Sequence, residues 1–251
     1  MKIQYASDLH LEFTENRHYL VQHPLQPAGD ILLLAGDICK VNALATYDWF
    51  FDQIAKQFKV TYWIPGNHEY YGYDLQLRSV NFCEPIRNNV FLVNDHAETI
   101  EGTHFIFSTM WTKILPSYRR DVERGMNDFR LIRFGDETLN AEHYNELHKT
   151  SLAFLEKELQ ALGPKVVVTH HAPTLQHYPP EYLGSVLNQG FAVNLDRLIE
   201  STNPNVWIDG HHHRNIPAFT IGKTQMLTNQ LGYVAAGEHH LFNPAAFFDL
   251  S

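Results

Sequence analysis

Short apolar runs rich in β-branched and aromatic residues recur along this chain, and most of them end on a polar side chain of the kind that binds metals. The runs are Lys2 to Ala6, Asp30 to Ala35, Val60 to Ile64, Val90 to Val93, His104 to Ser108, Lys165 to Thr169 and Asn205 to Ile208. They are too short for helices and continuous rather than alternating, which is the pattern of strands buried on both faces. Helical patterns lie between some of them. In the clearest, from about Ala141 to Leu162, Leu152, Leu155, Leu159 and Leu162 fall 3, 4 and 3 residues apart, with Asn140 as N-cap and Gly163-Pro164 as stop. Further helices are expected over about Ala43 to Phe58 and Val193 to Ser201, and Ile216 to Ile221, Thr224 to Thr228 and Ala246 to Leu250 read as strands of a final meander. Strands alternating with helices, then a mainly β ending, imply an α/β fold of two packed sheets with helices outside.

With 251 residues, 44% of them apolar, and no linker, repeat or low-complexity tract, one domain spanning residues 1–251 is expected. No stretch approaches the roughly 20 apolar residues of a spanning helix, and the opening MKIQYASDLHLEF has no secretory apolar region, so no membrane and no cleaved signal are expected. Cys39 and Cys83 form no CxxC pair, which fits a reducing cytoplasm. A formal charge of −9 disfavours long nucleic acid as a partner and leaves a small phosphorylated substrate as the easier one to accept; the oligomeric state is open.

The polar residues at the run ends carry the chemistry. Asp8 and His10 follow the first run, Asp37 the second, Asn67 and His68 the third, His170 follows VVVT, and His211 and His213 follow VWIDG. Sites of α/β sheets assemble outside the carboxyl ends of strands, so these segments can converge. Oxygen and imidazole donors without thiolate suit Mn, Fe, Zn, Ni or Co better than Ca or Mg. The donors exceed what one ion needs, and with one bridging carboxylate they suffice for two divalent metal ions.

In order along the chain, DLH, GD, GNHE, a strand-terminal His and GHHH resemble the motifs DxH, GD, GNH(D/E), H and GHxH of the calcineurin-like metallophosphoesterases, from Asp8 to His213. The resemblance implies two packed mixed β-sheets flanked by helices, a four-layer αββα sandwich. It also implies a dinuclear metal-dependent phosphoesterase in which a metal-bridging hydroxide attacks the phosphate ester. Carried over residue by residue, Asp8, His10, Asp37 and His213 hold one metal and Asp37, Asn67, His170 and His211 the other, Asp37 being the bridge. Two cations about 3.5–4 Å apart lower the pKa of a bridging water and clamp the attacking and leaving oxygens. His68 matches the histidine that stabilises the phosphoryl group or protonates the leaving alkoxide. Gly36, Gly66 and Gly210 are expected to let the backbone turn beneath the ligands.

Each motif alone has a plainer reading. Asp8 with His10 is by itself more often a capped turn; Asp37 alone also fits an N-cap or turn residue, and Asn67 a left-handed turn position. The doubled histidines leave a choice: the family pattern takes His170 over His171, and alternation puts His211 and His213 on one face with His212 turned away. Asp209 and Glu69 are candidates for orienting a ligand imidazole. Most other histidines, including His239 and His240, read as surface or satisfied core residues.

Arg119, Arg120, Arg124, Arg130 and Arg133 make up half of the arginines and lie in a long connection, about residues 109–140, that could cap the site. Arg119, Arg120, Arg124 and Arg130 are the candidate substrate-binding residues, because guanidinium groups recognise phosphate bidentately, although each taken singly reads more simply as a solvated, neutralised side chain. The protein Ser/Thr phosphatases of the superfamily extend GD to GDxxDRG, whose second Asp orients the catalytic His. Here the stretch is GDICKVN, with Lys40 at that position, so the partner of His68 is open and small phosphodiesters or phosphomonoesters, diesters favoured, are expected over phosphoproteins. A catalytically weak scaffold or binding module of the same fold is the alternative. Such a protein is expected to have lost ligands, and here every position is filled.

Overall fold

The computed structural model describes residues 1–250. One sheet contains β1 (Lys2–Ala6), β2 (Ile31–Ala35), β3 (Val60–Ile64), β4 (Phe82–Arg87), β5 (Val90–Asn94) and β14 (Phe247–Asp249), in the order β14-β1-β2-β3-β5-β4. The other contains β6 (His96–Ile100), β7 (Thr103–Ser108), β10 (Lys165–Thr169), β11 (Val206–Asp209), β12 (Phe219–Ile221) and β13 (Thr224–Thr228), in the order β12-β13-β11-β10-β7-β6. In each sheet the four central strands are parallel and the two edge strands antiparallel. A short hairpin, β8 (Arg133–Phe134) with β9 (Glu137–Thr138), stands apart.

Alternation along the buried strands builds the layers. Ile31, Leu33 and Ala35 of β2 face Val166 and Val168 of β10 across the space between the sheets. Leu32 and Leu34 point the other way, into a core with Phe50, Phe51 and Ile54 of α2 (Asp48–Gln57) and Leu20 of α1 (Thr14–Gln22). On the far side, Val167 and Trp207 meet Leu155 of α5 (Ala141–Glu158) and Ile199 of α6 (Asp196–Thr202). Both sheets are therefore apolar on both faces, which is why their strands read as continuous runs.

Several expectations shift at their boundaries. Asn140 caps α5 as expected, its Oδ1 accepting from the Glu142 and His143 N–H groups at 2.9 and 3.0 Å. The helix stops at Glu158, however, and Leu162 is 97% exposed, so the apolar stripe ends at Leu159. The expected helix over 43–58 is a 3-10 stretch, Val41–Tyr47, kinked at Ala43, followed by α2. The closing strands are not one meander: β13 lies parallel to β11, and β14 crosses to the other sheet to pair with β1. Helix α1 and strands β4 and β6 carry little periodic apolar signal and were not expected.

The connection after β7 carries α3 (Arg119–Gly125) and α4 (Asp128–Leu131) and the β8–β9 hairpin. Its residues Trp111, Val122, Phe129 and Ile132 form a small core with Tyr70, Tyr71 and Tyr144, which seats the segment beside the loop that follows β3.

Candidate metal centre

Asp8 and His10 leave β1, Asp37 leaves β2, Asn67 leaves β3, His170 leaves β10, and His211 and His213 leave β11. The loops are stitched together. Asp8 and His10 donate backbone N–H groups to the carbonyls of Gly36 and Asp37, both at 2.9 Å, and Gly210 donates to the His170 carbonyl at 3.0 Å. The His211 N–H donates to Oδ1 of Asp8 at 3.0 Å, which ties the two sheets together at this edge. Asp8, His10, Asp37, His211 and His213 all have positive φ, between 48° and 78°. Each costs about 1 kcal/mol or more for a residue with a Cβ, although Asp and His tolerate this region better than most. Of the glycines, Gly36 has φ +89°, whereas Gly66 and Gly210 do not need positive φ. Their service is room: a Cβ on Gly66 would meet Asp37 Oδ1 at 2.2 Å, and one on Gly210 would meet Asp8 Oδ2 at 2.6 Å.

Besides a group of His10, Glu12 and His68, two groups of donor atoms result that share a carboxylate. Asp8, His10, Asp37 and His213 form one, and Asp37, His170 and His211 the other, so Asp37 belongs to both. Nε2 of His10 faces Nε2 of His213 at 2.9 Å, and Nε2 of His170 faces Nδ1 of His211 at 3.0 Å. Asn67 joins the second group through Oδ1, 3.2 Å from Nε2 of His170. Its amide is held that way because Nδ2 donates to Asp128 Oδ1 at 2.8 Å, and Asp128 also accepts from the Tyr71 hydroxyl. His171 is excluded from the centre: Nδ1 lies on the Thr109 carbonyl and Nε2 on the Tyr144 hydroxyl. The ring nitrogens of His212 lie instead by Gln230 and the Arg214 N–H.

Carboxylates and a carbonyl orient the imidazoles, but not the carboxylates expected. Glu12 Oε1 lies 3.0 Å from Nδ1 of His10 and 2.8 Å from Nδ1 of His68. Glu238 Oε2 lies 2.8 Å from Nδ1 of His213, and the Ala35 carbonyl takes Nδ1 of His170 at 2.9 Å. Glu69 instead accepts the N–H groups of Asp37, Ile38, Gly66 and the Trp63 indole, clamping the GD and GNHE loops together. Asp209 is no partner either, its carboxylate lying 3.9 Å from His212. Glu12 carried a faint signal, since it continues the two-residue spacing of Asp8 and His10. Glu238 and Asp128 carried none, because their contacts depend on loops remote in sequence.

Burial opposes every charge here; it prevails at His10, His211, Glu69 and Asp128, and neighbouring charges overcome it at Glu12, His68, His170 and His213. It works to raise Glu12, but His10 and His68 outweigh it and hold that carboxyl at about 2. It works to lower His213, but Asp8 and Glu238 raise this imidazole to about 9. His170 is likewise raised to about 10 against burial, by Asp37, Asp8 and the Ala35 carbonyl. His68 is also raised, burial being outweighed by Asp37 and Glu12.

A cavity of about 320 Å³ opens onto the centre from one side, bounded by Asp37, Asn67, His68, His211 and His213 at its floor. None of Arg119, Arg120, Arg124 and Arg130 lines it. Arg119 is taken by Glu123 and Glu142, Arg130 donates to the Arg124 carbonyl and Asn127, and Arg120 and Arg124 are exposed. The expected substrate arginines are thus turned outward on α3 and α4, and the same segment presents Met126, Asn127 and Asp128 to the cavity instead.

Comparison with known proteins meets this geometry. The family described as calcineurin-like phosphoesterase matches residues 1–215. The chain belongs to this family. A curated relative, an uncharacterized protein of Acanthamoeba polyphaga mimivirus, is 29% identical over 99% of this chain and 96% of its own length. Among solved structures, the phosphopantetheinyl hydrolase of Mycobacterium tuberculosis superposes with a TM-score of 0.70 at 16% identity, covering 95% of this chain and 92% of its own. A dimetal phosphatase from Danio rerio gives 0.56 at 10% identity, covering 98% and 91%. These two likenesses are of fold.

As a calcineurin-like phosphoesterase, the chain is a metal-dependent hydrolase of phosphate esters, and its donor set fits divalent cations. With Nδ1 of His10 donating to Glu12 and Nδ1 of His213 to Glu238, two neutral rings turn two Nε2 lone pairs toward each other. A cation between them satisfies both lone pairs. The buried Asp8 and Asp37 carboxylates supply the compensating negative charge.

Proposed function

We propose that the protein is a dinuclear phosphodiesterase acting on small substrates. Asp8, His10, Asp37 and His213 would hold one divalent cation, and Asp37, Asn67, His170 and His211 the other, with Mn, Fe, Zn, Ni or Co suiting these imidazole and oxygen donors. The observation that carries the reading is the membership of Asp37 in both donor groups. Bound there, the two cations supply an activated water and neutralise the phosphoryl oxygens.

The chain's own residues do the rest. Glu12 and Glu238 accept hydrogen bonds from the Nδ1–H groups of His10 and His213, which leaves Nε2 of each ring free to ligate. Glu12 likewise fixes His68 with Nε2 toward the cavity, where the Tyr233 hydroxyl lies 3.3 Å away. From there His68 can hold a proton for the departing alkoxide or donate a hydrogen bond to a phosphoryl oxygen. Tyr71, whose ring centre is 4.1 Å from that of His68, and Tyr233 shield the imidazole from water.

Diesters are favoured over monoesters because the cavity walls offer no Lys or Arg for the extra charge of a monoester dianion. The segment over about residues 109–140 serves as a wall of the substrate site rather than as a phosphate clamp. Among the described residues, no helix is long and apolar enough to cross a membrane. The exposed free thiol of Cys83 suits a reducing cytoplasm. The deciding experiment strips the protein with chelator, restores each of the five metals, and assays a panel of small diesters and monoesters. Hydrolysis of diesters, abolished by chelation and restored by metal, is expected; monoesters turned over far better than every diester would reverse the preference.

A further inference from the structure

The cavity continues away from the metal centre between two segments with no part in ligation. One is the turn from α3 to α4, the other the long connection after β10, which holds Tyr178, Tyr182, Leu187 and Phe191. They dock closely because each offers a glycine to the other. A Cβ on Gly125 would stand 2.4 Å from Leu187, and one on Gly190 would stand 2.1 Å from the Met126 sulfur. The wall so formed is aromatic and aliphatic with neutral polar groups, Asn127, Ser185 and Asn188, along it. Asp128 and Glu238 line the cavity where it meets the centre, the one held by Asn67 and Tyr71 and the other by His213, and no Lys or Arg lines it. Arg214, which packs over the Tyr182 ring, is already bonded to Glu181 and lies 3.6 Å from Glu238.

We infer that this wall is the subsite for an uncharged, ring-bearing alcohol group of a phosphodiester, and that it selects against a substrate carrying a second phosphate. The inference rests on the phosphodiesterase reading and adds the substrate class. A flat ring finds apolar partners in Tyr178, Tyr182 and Phe191, and neutral polar edges meet Asn127 and Asn188. A second phosphate there would lose water, find Arg214 already engaged by Glu181 and Glu238, and approach the Asp128 and Glu238 carboxylates, which is the repulsive arrangement by which sites reject a competitor. In turnover the P–O bond to one alcohol breaks, a water oxygen takes its place on phosphorus, and a proton passes to the departing alkoxide.

Two measurements test this. The first compares thymidine 5′-(4-nitrophenyl phosphate) with the same ester phosphorylated at the 3′-oxygen, using metal-restored protein. Lower kcat/KM for the phosphorylated ester, by about tenfold or more, is expected, with the gap narrowed in Asn127→Arg, which places a cation on the wall. The second reads binding without turnover: calorimetric titration of phenylphosphonate and methylphosphonate into manganese-loaded His68→Ala protein. The phenyl compound should bind about tenfold tighter, the effect of partly burying a ring, and Tyr182→Ala should remove most of that difference. Equal kcat/KM for the two thymidine esters, or equal affinity for the two phosphonates, overturns the inference and leaves the phosphodiesterase reading intact. No metal-dependent turnover of any ester would remove the phosphodiesterase reading first, and the inference with it.

Discussion

Glu12 Oε1 lies 2.8 Å from Nδ1 of His68 and 3.0 Å from Nδ1 of His10, so a single carboxylate oxygen orients a proposed metal ligand and the proposed catalytic histidine together. Each ring then directs Nε2 away from Glu12, one toward the metal position and the other toward the cavity. In the GDxxDRG pattern of the protein phosphatases the orienting carboxylate for that histidine comes from the loop after GD. Here Lys40 stands at the equivalent position, and the carboxylate comes from the loop after β1 instead.

Glu12→Gln should therefore damage two functions at once. Loss of a carboxylate beside a ligand imidazole typically weakens metal by roughly 10–100-fold. At saturating metal, kcat should remain low, because the amide can present N–H to Nδ1 and favour the wrong tautomer of His68. Metal titration followed by kinetics separates these effects. A variant with full kcat once metal is saturating would leave Glu12 a role in ligation alone.

Removing the shared ligand should cost more metal than removing any other. Asp37→Asn is expected to lose both ions on dialysis, Asp8→Asn mainly the first and Asn67→Ala mainly the second, as read by elemental analysis per protein chain. Two ions retained in Asp37→Asn would sink the bridging assignment.

The parts of this site that were legible in the sequence are those encoded locally. Asp8, Asp37, Asn67, His170 and His211 each stand just past a strand whose apolar run is visible, so where the strands end tells where the ligands gather. The choice of His170 over His171 is supported by Thr109 and Tyr144, which take both nitrogens of the second ring. What was hidden depends on long-range approach: Glu238 reaches His213 through a loop 25 residues on, and Asp128 reaches Asn67 across 61 residues. The arginine cluster misled for the same reason, since helix α3 and the short α4 present their arginines to solvent and to acidic neighbours while Met126 to Asp128 line the cavity. At the fold level β14 escaped its meander because its pairing partner, β1, is at the opposite end of the chain.

Away from the centre, Asp95 should shape the pH dependence of stability. It is buried between the hydroxyls of Ser108 and Ser151, at 2.6 and 3.1 Å, and burial raises its carboxyl to about 6 from an ordinary 3.8. The folded protein therefore binds this proton more tightly than the unfolded chain does. The stability it contributes is full below pH 3.8 and is lost as pH rises through about 6, by at most about 3 kcal/mol for a shift of this size. Asp95→Asn should remove that decline, so urea unfolding from pH 4 to 7 ought to give a flatter curve than wild type. Parallel curves would show that Asp95 does not titrate in this range.

His68 separates chemistry from binding. Its Nδ1 is committed to Glu12, its Nε2 faces the cavity, and it falls outside both groups of donors that share Asp37. His68→Ala should accordingly keep both metals and the fold while losing the roughly 10²–10⁴-fold that a positioned general acid supplies. If the imidazole protonates the leaving alkoxide, the loss should be large for alkyl esters and small for 4-nitrophenyl esters, whose leaving group departs without a proton. An equal loss for both would assign His68 to stabilising the phosphoryl oxygens instead. Glu12, His10 and His68 also lie close enough to hold an ion by themselves, so metal analysis of the variant is part of the test. Loss of one ion on removing His68 would make it a ligand and overturn the division of labour among the histidines.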